Sequence, residues 1–230
     1  IVYLEVSMRI EHDFIGELEI ADDVFYGVQT FRAKQNFDIT GEHLCDYPSF
    51  IYGYAKVKKA CALANCELKL LDQEKCDYIV KACDEILTGK YNDQFVVDML
   101  QGGAGTSTNM NTNVGLTMMG HNKGEYKFLH PNDHVNLSQS TNDSYPSAIK
   151  IATYDDIGTL FESIKLLRDS FAKKAEEFKD VIKMGRTQLQ DAVPMTVGQE
   201  FHAFATMLDE DLVRLEEARK LMLEVNLGGT

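Results

Sequence analysis

Residues 138–181 read SQSTNDSYPSAIKIATYDDIGTLFESIKLLRDSFAKKAEEFKDV and carry the two signals that decide the fold. The first is a polar string, Ser138–Pro146, which places neutral hydrogen-bonding side chains at positions 138–142. The second is an apolar series in steps of three, four, three, four and seven: Ile157, Leu160, Ile164, Leu167, Phe171 and Phe178. That spacing is typical of an antiparallel bundle or coiled coil. It predicts a helix from Pro146 to about Val181, roughly 50 Å long.

A second polar string, GRTQLQDAVPM at Gly185–Met195, follows this helix and precedes another apolar series. The members of that series are Phe201, Ala205, Leu208, Leu212, Leu215 and Met222. Two long helices joined by one polar connection cannot bury both apolar faces alone. The pattern therefore predicts further helices, either from a C-terminal portion beyond this sequence or from neighbouring subunits.

The first half of the chain predicts an irregular entry segment and then a helical hairpin. Residues 8–46 indicate one small β-hairpin, and the apolar spacing changes to a helical one after Pro48. Asp72 is a candidate N-cap for the second helix, and Gly89 is expected to end it. A short helical turn is predicted over Phe95–Leu100. The fold class is mainly α, with residues 1–7 an extension or remnant, 8–145 one domain, and 146–230 the first long helices of a central bundle.

Composition narrows the class of protein. A net charge of −13 argues against nucleic acid as a partner, and no apolar run approaches the roughly 20 residues of a membrane-spanning helix. The five cysteines lack C-x-x-C spacing, which favours reduced thiols in a cytoplasmic protein over a metal site or disulfides.

Three polar strings carry the candidate chemistry, and each also has a purely structural explanation. QGGAGTSTNMNTN at Gln101–Asn113 is a glycine-rich turn opening a helix, which can present N–H groups to an anion or serve as a helix entry. Ser138–Asp143 can bind a carboxylate or cap the long helix. Gly185–Met195 can contribute a binding residue or only connect two helices. His130–His134 allows a metal or acid–base role, although turn-forming residues before a helix explain it equally well.

Taken together and in this order, the three strings resemble the fumarase/aspartase superfamily, and GRTQLQDAVPM is most similar to its ammonia-lyase branch. The resemblance implies an L-aspartase-like fold and reversible conversion of L-aspartate to fumarate and ammonia, with no metal or organic cofactor. It also implies a homotetramer in which three subunits contribute to each active site. The alternatives are a fumarate hydratase or other fumarate-releasing lyase, and a non-catalytic degenerate helical subunit.

The resemblance assigns substrate binding residue by residue. Thr106 matches the first substrate contact, Ser140, Thr141 and Asn142 match the carboxylate-binding triplet, and Thr187 matches the contact in the third string. Gln188 stands where fumarases have a histidine. His130–Asp133 resembles a secondary anion site and is not counted as catalytic.

Two departures from the family pattern bear on these expectations. The family's catalytic serine lies in a loop of the form GSSxMPxKxNP, which is expected beyond Thr230, so the 230-residue chain alone is expected to be inactive. The family pattern after Asn113 is also about five residues longer. Five residues amount to a net helical misregister of roughly 140°, which predicts looping out or repacking at this point.

Overall fold

The computed structural model describes residues 7–120 and 126–228. The chain divides into two compact units, one formed by residues up to Ala152 together with those from Val225 onward, and the other by Thr153–Glu224. The prediction of a mainly α protein is confirmed, since 61% of the described residues are helical. The extension predicted over residues 1–7 lies outside the described residues except for Ser7.

The entry segment contains the predicted hairpin and one helix that the sequence did not predict. Strands β1, Met8–His12, and β2, Glu17–Ala21, pair antiparallel with Met8 opposite Ala21. Helix α1 follows at Val28–Asn36 and buries only Val28 and Thr30. Because only two of its positions are buried, the sequence of this helix has no repeating apolar spacing from which it could be predicted.

The predicted helical hairpin is present as α2, Pro48–Glu67, and α3, Gln73–Leu87. Proline occupies the first helical position of α2, where its missing N–H costs nothing. Asp72 precedes α3 as predicted, but its carboxylate pairs with Lys75 at 2.9 Å and makes no cap bond. The fully buried side chains of these two helices include Ile51, Tyr54, Ile79, Cys83 and Ile86.

The helical turn predicted over Phe95–Leu100 is wrong. This segment is extended beside residues 42–45, where Leu44 N donates to Val97 O at 3.0 Å and Cys45 N donates to Phe95 O at 2.9 Å. Phe95 and Val97 both reach the core, at the two-residue spacing of extended chain. The nearest helical structure is a 3₁₀ turn at Asn92–Gln94.

Helix α4, Thr106–Gly120, runs without interruption through the position where looping out was predicted. It has buried residues on all sides, and most of its buried polar side chains make hydrogen bonds, although Asn113 Oδ1 has no partner among the described residues. Thr112 and Thr117 donate to carbonyls one turn earlier, and Asn111 Oδ1 accepts from Val96 N at 3.0 Å. A helix enclosed in this way has no single apolar face whose register must be kept.

Helix α5 spans Thr141–Glu177, so both of its ends lie a few residues earlier than predicted. Pro146 lies inside its second turn and has no N–H to donate to Asn142 O. The side chain of Asn226 replaces that donor, with Nδ2 3.1 Å from Asn142 O. The helix therefore continues through a residue that the sequence indicated as its start.

The connection after α5 is a β-hairpin and not the simple polar turn that the sequence indicated. Strand β3, Ile182–Thr187, pairs antiparallel with β4, Gln190–Thr196, and Gln188 adopts a φ of 55° in the tight loop between them. Helix α6 follows at Val197–Leu221, close to the predicted second rod. Thr196 and Gln199 close its N-terminus with a capping box.

The second unit exposes much of its apolar surface, as the sequence predicted for two long helices. Only Gly185, Gly198 and Ala205 are buried among its described residues. Phe171 of α5 lies 5.9 Å from Phe201 and 5.5 Å from Phe204 of α6, measured between ring centroids. Large apolar side chains remain exposed on both helices, including Leu160, Leu166, Leu167, Met207, Val213 and Leu221. Within the described part of the chain, no helix combines the length and apolar character needed to cross a membrane.

Candidate functional site

The glycine-rich string folds as the entry to α4, and its geometry requires glycine. Gly103 and Gly105 have φ of 75° and 83°, a conformation that L side chains rarely adopt. A Cβ at Gly105 would also collide with the ring of Tyr145. Gly105 O accepts the first helical hydrogen bond, from Asn109 N at 3.0 Å. Thr106 therefore lies exposed at the first position of α4, and its side chain has no hydrogen-bond partner in residues 7–120 and 126–228.

The second string forms the N-terminal turn of α5. Ser140 is the N-cap, since its Oγ accepts from Asn142 N at 3.2 Å. Asp143 returns the contact, with Oδ1 accepting from Ser140 N at 3.0 Å. The side chains of Thr141 and Asn142 make no hydrogen bond to any described residue, and neither residue is buried. Capping thus uses Ser140 and Asp143, which leaves two donor side chains free at a helix N-terminus.

The structure brings the first turns of α4 and α5 into contact. Tyr145 packs against Gly105 and against Phe50, whose ring centroid lies 5.3 Å away. Asn109 lies in the first turn of α4, and its Oδ1 accepts from the Ser144 hydroxyl at 3.2 Å. Two of the three predicted strings therefore meet within one unit. The helix N-termini in these two strings, those of α4 and α5, both carry the positive end of a helix dipole.

A buried lysine lies beneath these two turns, and the sequence analysis missed it. Lys58 of α2 is fully buried, and burial lowers the pKa of its amine to about 7. Its Nζ donates to three amide oxygens: Asn109 Oδ1 at 2.8 Å, Asn136 Oδ1 at 2.9 Å and Gln139 Oε1 at 2.9 Å. The signal was available, because Lys58 shares the spacing of the buried residues Ile51, Tyr54 and Ala62.

The third string lies in the second unit. Thr187 is the last residue of β3, is exposed, and pairs with Gln190 across the hairpin. Arg186 forms an ion pair with Asp191 beside it. Gln188 adopts its left-handed backbone conformation in the loop itself. Thr187 and Gln188 therefore lie at the tip of the hairpin.

The histidine-containing loop forms a π-helical turn, Pro131–Val135, and the Nδ1 atoms of His130 and His134 have local partners. His130 Nδ1 accepts from Asn132 N and Asp133 N, and His134 Nδ1 accepts from His130 N at 2.9 Å. Burial lowers the pKa of His134, and the nearby Lys75 ammonium lowers it further. Within the described residues, no three His, Cys, Asp or Glu side chains are grouped so that they could hold a metal ion.

Comparison with known proteins defines the class to which this fold and these helix N-termini belong. A family profile described as lyase matches residues 16–230, and the chain belongs to that family. A solved structure titled fumarate lyase:delta crystallin, from Brucella melitensis, superposes with a TM-score of 0.93 at 47% identity. The superposed part makes up 97% of this chain and 53% of the Brucella chain.

Within the family, the chain is a homologue of aspartate ammonia-lyases. It is 61% identical over 228 residues to the aspartate ammonia-lyase of Helicobacter pylori strain J99, covering 97% of this chain and 49% of that protein. It is 52% identical over 230 residues to the aspartate ammonia-lyase of Escherichia coli K12. That alignment covers 97% of this chain and 48% of the E. coli protein. The chain spans about half the length of these curated relatives and corresponds to their N-terminal half.

Proposed function

We propose that the whole protein to which this chain belongs converts L-aspartate reversibly to fumarate and ammonia. The observation that carries the proposal is the pair of free donor side chains, Thr141 and Asn142, at the N-terminus of α5. Ser140 and Asp143 already cap the helix, so neither free side chain is needed to complete it. The 61% identity to an aspartate ammonia-lyase supports aspartate as the substrate in preference to malate.

The chemistry explains why neutral donors suit this reaction. A base removes a proton from the carbon beside a carboxylate, and negative charge builds up on that carboxylate as an enediolate. The C–N bond then breaks, a C=C bond forms, and ammonia leaves with the electron pair of the broken bond. Preorganised hydrogen-bond donors aimed at the developing charge commonly lower such a barrier by about 3–4 kcal/mol each.

The roles follow from the positions of the residues. Ser140, Thr141 and Asn142 bind the carboxylate that gains charge, with help from the dipole of α5. Thr106 at the start of α4 and Thr187 at the tip of the β3–β4 hairpin supply further substrate contacts. The proton-abstracting serine is expected beyond Thr230. The reaction as proposed needs no metal or organic cofactor.

We further infer that the whole protein is a homotetramer located in the cytoplasm. The exposed apolar faces of α5 and α6 support association, and all five cysteines are free, which fits a reducing compartment. Residues 8–145 form the N-terminal lyase domain in this proposal, and residues 146–230 begin the central bundle. Three subunits then contribute to each active site, and one of them supplies both the α4 entry with Thr106 and the α5 entry with Ser140–Asn142.

The test gives the whole protein L-aspartate and L-malate in separate assays. Fumarate and ammonia in equal amounts from aspartate, with no fumarate from malate, is the expected result. Fumarate from malate alone would replace the proposal with a fumarate hydratase. Failure to turn over either substrate would leave the chain as a helical subunit without catalysis.

A further inference from the structure

Lys58 is the only lysine or arginine that is buried among the described residues, and the proposed chemistry does not use it. Burying a cation is costly unless its hydrogen bonds are satisfied, and usually a carboxylate supplies the partner. Here the three acceptors are neutral amide oxygens. A simple core position would be filled at lower cost by an apolar side chain, so the lysine needs another explanation.

The three acceptors come from two segments of the chain, α4 and the turn at residues 136–139. Asn109 lies in the first turn of α4, Asn136 closes the π-helical turn, and Gln139 directly precedes Ser140. In its protonated form Lys58 has three N–H donors, and all of them are used. Lys58 therefore ties α2 to both helix entries at once. We call Lys58, Asn109, Asn136, Gln139 and Ser144 the Lys58 cluster.

Further hydrogen bonds connect the Lys58 cluster to the Ser140–Asn142 turn. Asn136 Nδ2 donates to Gln139 O at 3.0 Å, which fixes the backbone one residue before Ser140. Ser144 Oγ lies 3.2 Å from Asn109 Oδ1 and 2.9 Å from Ser140 O. The turn is thus held from both sides by groups that contact Lys58 or its acceptors, while its own free donors face outward.

We propose that Lys58 is a positioning residue, which fixes the Ser140–Asn142 turn against the first turn of α4 through Asn109, Asn136 and Gln139. The proposal rests on the proposed function in one respect, namely that the turn binds a dicarboxylate. Its structural part stands independently. Charge-assisted hydrogen bonds are strong, so the ammonium holds α2, α4 and the turn at residues 136–139 in one arrangement. An apolar side chain would fill the volume and leave that arrangement unspecified.

The test replaces Lys58 by methionine, which has a similar length and no charge, in the whole protein. Lys59→Met is the matched control, because Lys59 is the next residue on α2 and pairs with Asp84 at the surface. Amide hydrogen exchange is measured over residues 138–142 and over α2 and α3. Lys58→Met is expected to speed exchange about tenfold in the turn alone. Lys59→Met is expected to leave it unchanged.

Kinetics provide the second readout. Misplaced donors weaken transition-state binding more than substrate binding, so kcat is expected to fall about 100-fold with a small change in KM. A purely structural role would lower the yield of folded protein and raise exchange throughout the core. It would leave kcat per folded molecule unchanged. A folded Lys58→Met protein with wild-type exchange in the turn and wild-type kcat overturns the proposal.

A second variant keeps the proposal testable if Lys58→Met does not fold. Gln139→Leu retains the lysine and removes only the acceptor next to Ser140, so exchange in the turn is expected to rise about threefold and kcat to fall about tenfold. Wild-type exchange and kcat in a folded Gln139→Leu protein would also overturn it. If the wild-type protein converts no aspartate, the proposed function fails, while the exchange measurement still decides the role of Lys58.

Discussion

At the scale of single residues, Asp98 shows how one carboxylate can organise a loop. Asp98 is 2% exposed and accepts hydrogen bonds from the backbone N–H groups of residues 39, 40, 41 and 100 and from the Thr40 hydroxyl. Burial raises its pKa, but these hydrogen bonds outweigh burial and hold the pKa below its usual range. The ionised carboxylate therefore satisfies five donors on two segments that have no regular structure.

This arrangement predicts an acid-dependent stability. Because the folded pKa of Asp98 lies below its unfolded value, its contribution is fully present above about pH 4 and is lost as pH falls further. The Asp98→Asn protein is expected to be less stable at neutral pH and to lose less stability on acidification. Urea unfolding of both proteins between about pH 5 and about pH 3 measures the difference. Parallel pH dependence in the two proteins would contradict this role for Asp98.

At the scale of elements, the strongly periodic helices were predictable and the segments held by distant partners were not. The spacing of apolar residues located α2, α3, α5 and α6 because one face of each packs against a neighbour. Helix α4 has no such face, since residues on all its sides are buried. The β3–β4 hairpin and the extended Phe95–Leu100 segment depend on backbone pairing with other segments, which leaves little trace in the local sequence.

The contact between the first turns of α4 and α5 gives a prediction at this scale. Gly105→Ala combines a positive φ with a collision against Tyr145, and we expect a loss of roughly 2–4 kcal/mol in the free energy of unfolding. Gly103→Ala is the matched control. It has a similar φ, but its Cβ would lie 3.3 Å from Thr106 Oγ1, and the expected loss is about 1 kcal/mol. Equal losses in a denaturant titration would show that Tyr145 does not constrain the loop.

At the scale of the whole molecule, the second unit leaves many of its large apolar side chains exposed. Leu166 and Met207 are 72% and 60% exposed on helices whose apolar spacing predicts a bundle. The sequence alone predicted that further helices are needed, because two long amphipathic helices with a single connection cannot bury both apolar faces. It left open whether a C-terminal portion or neighbouring subunits supply them. The homotetramer that we propose adds neighbouring copies of the chain as a source.

The whole protein is therefore expected to sediment as a multisubunit species. Leu166→Glu combined with Met207→Glu places two charges in the apolar surface and should lower the sedimenting mass, because a buried unpaired charge is costly. Gln35→Glu combined with Asn36→Glu adds the same charge at exposed positions of α1, outside α5 and α6, and should leave the mass unchanged. An unchanged mass in the first variant would argue that these faces do not mediate association.

For the candidate site, the sequence predicted the residue types and their order. It did not predict the hydrogen bonds that hold those residues in place. The resemblance identified Thr106, Ser140–Asn142 and Thr187 by motif, and these assignments stay predictions. The structure adds that the side chains of Thr141 and Asn142 take no part in capping α5. It also shows that Lys58 donates to Gln139, the residue before Ser140. The role of Lys58 could not be read from spacing alone, because its three acceptors lie 51 to 81 residues away.

The most direct measurement is the affinity of the whole protein for fumarate, determined by calorimetric titration of three forms. Asn142→Ala removes one free donor and should weaken binding about 10- to 100-fold, since a lost hydrogen bond to a charged group costs roughly 1.5–3 kcal/mol. Ser138→Ala removes a hydroxyl two residues outside the triplet and should bind fumarate like the wild type. Unchanged binding in Asn142→Ala, or an equal loss in both variants, would contradict the assignment of this turn to the carboxylate.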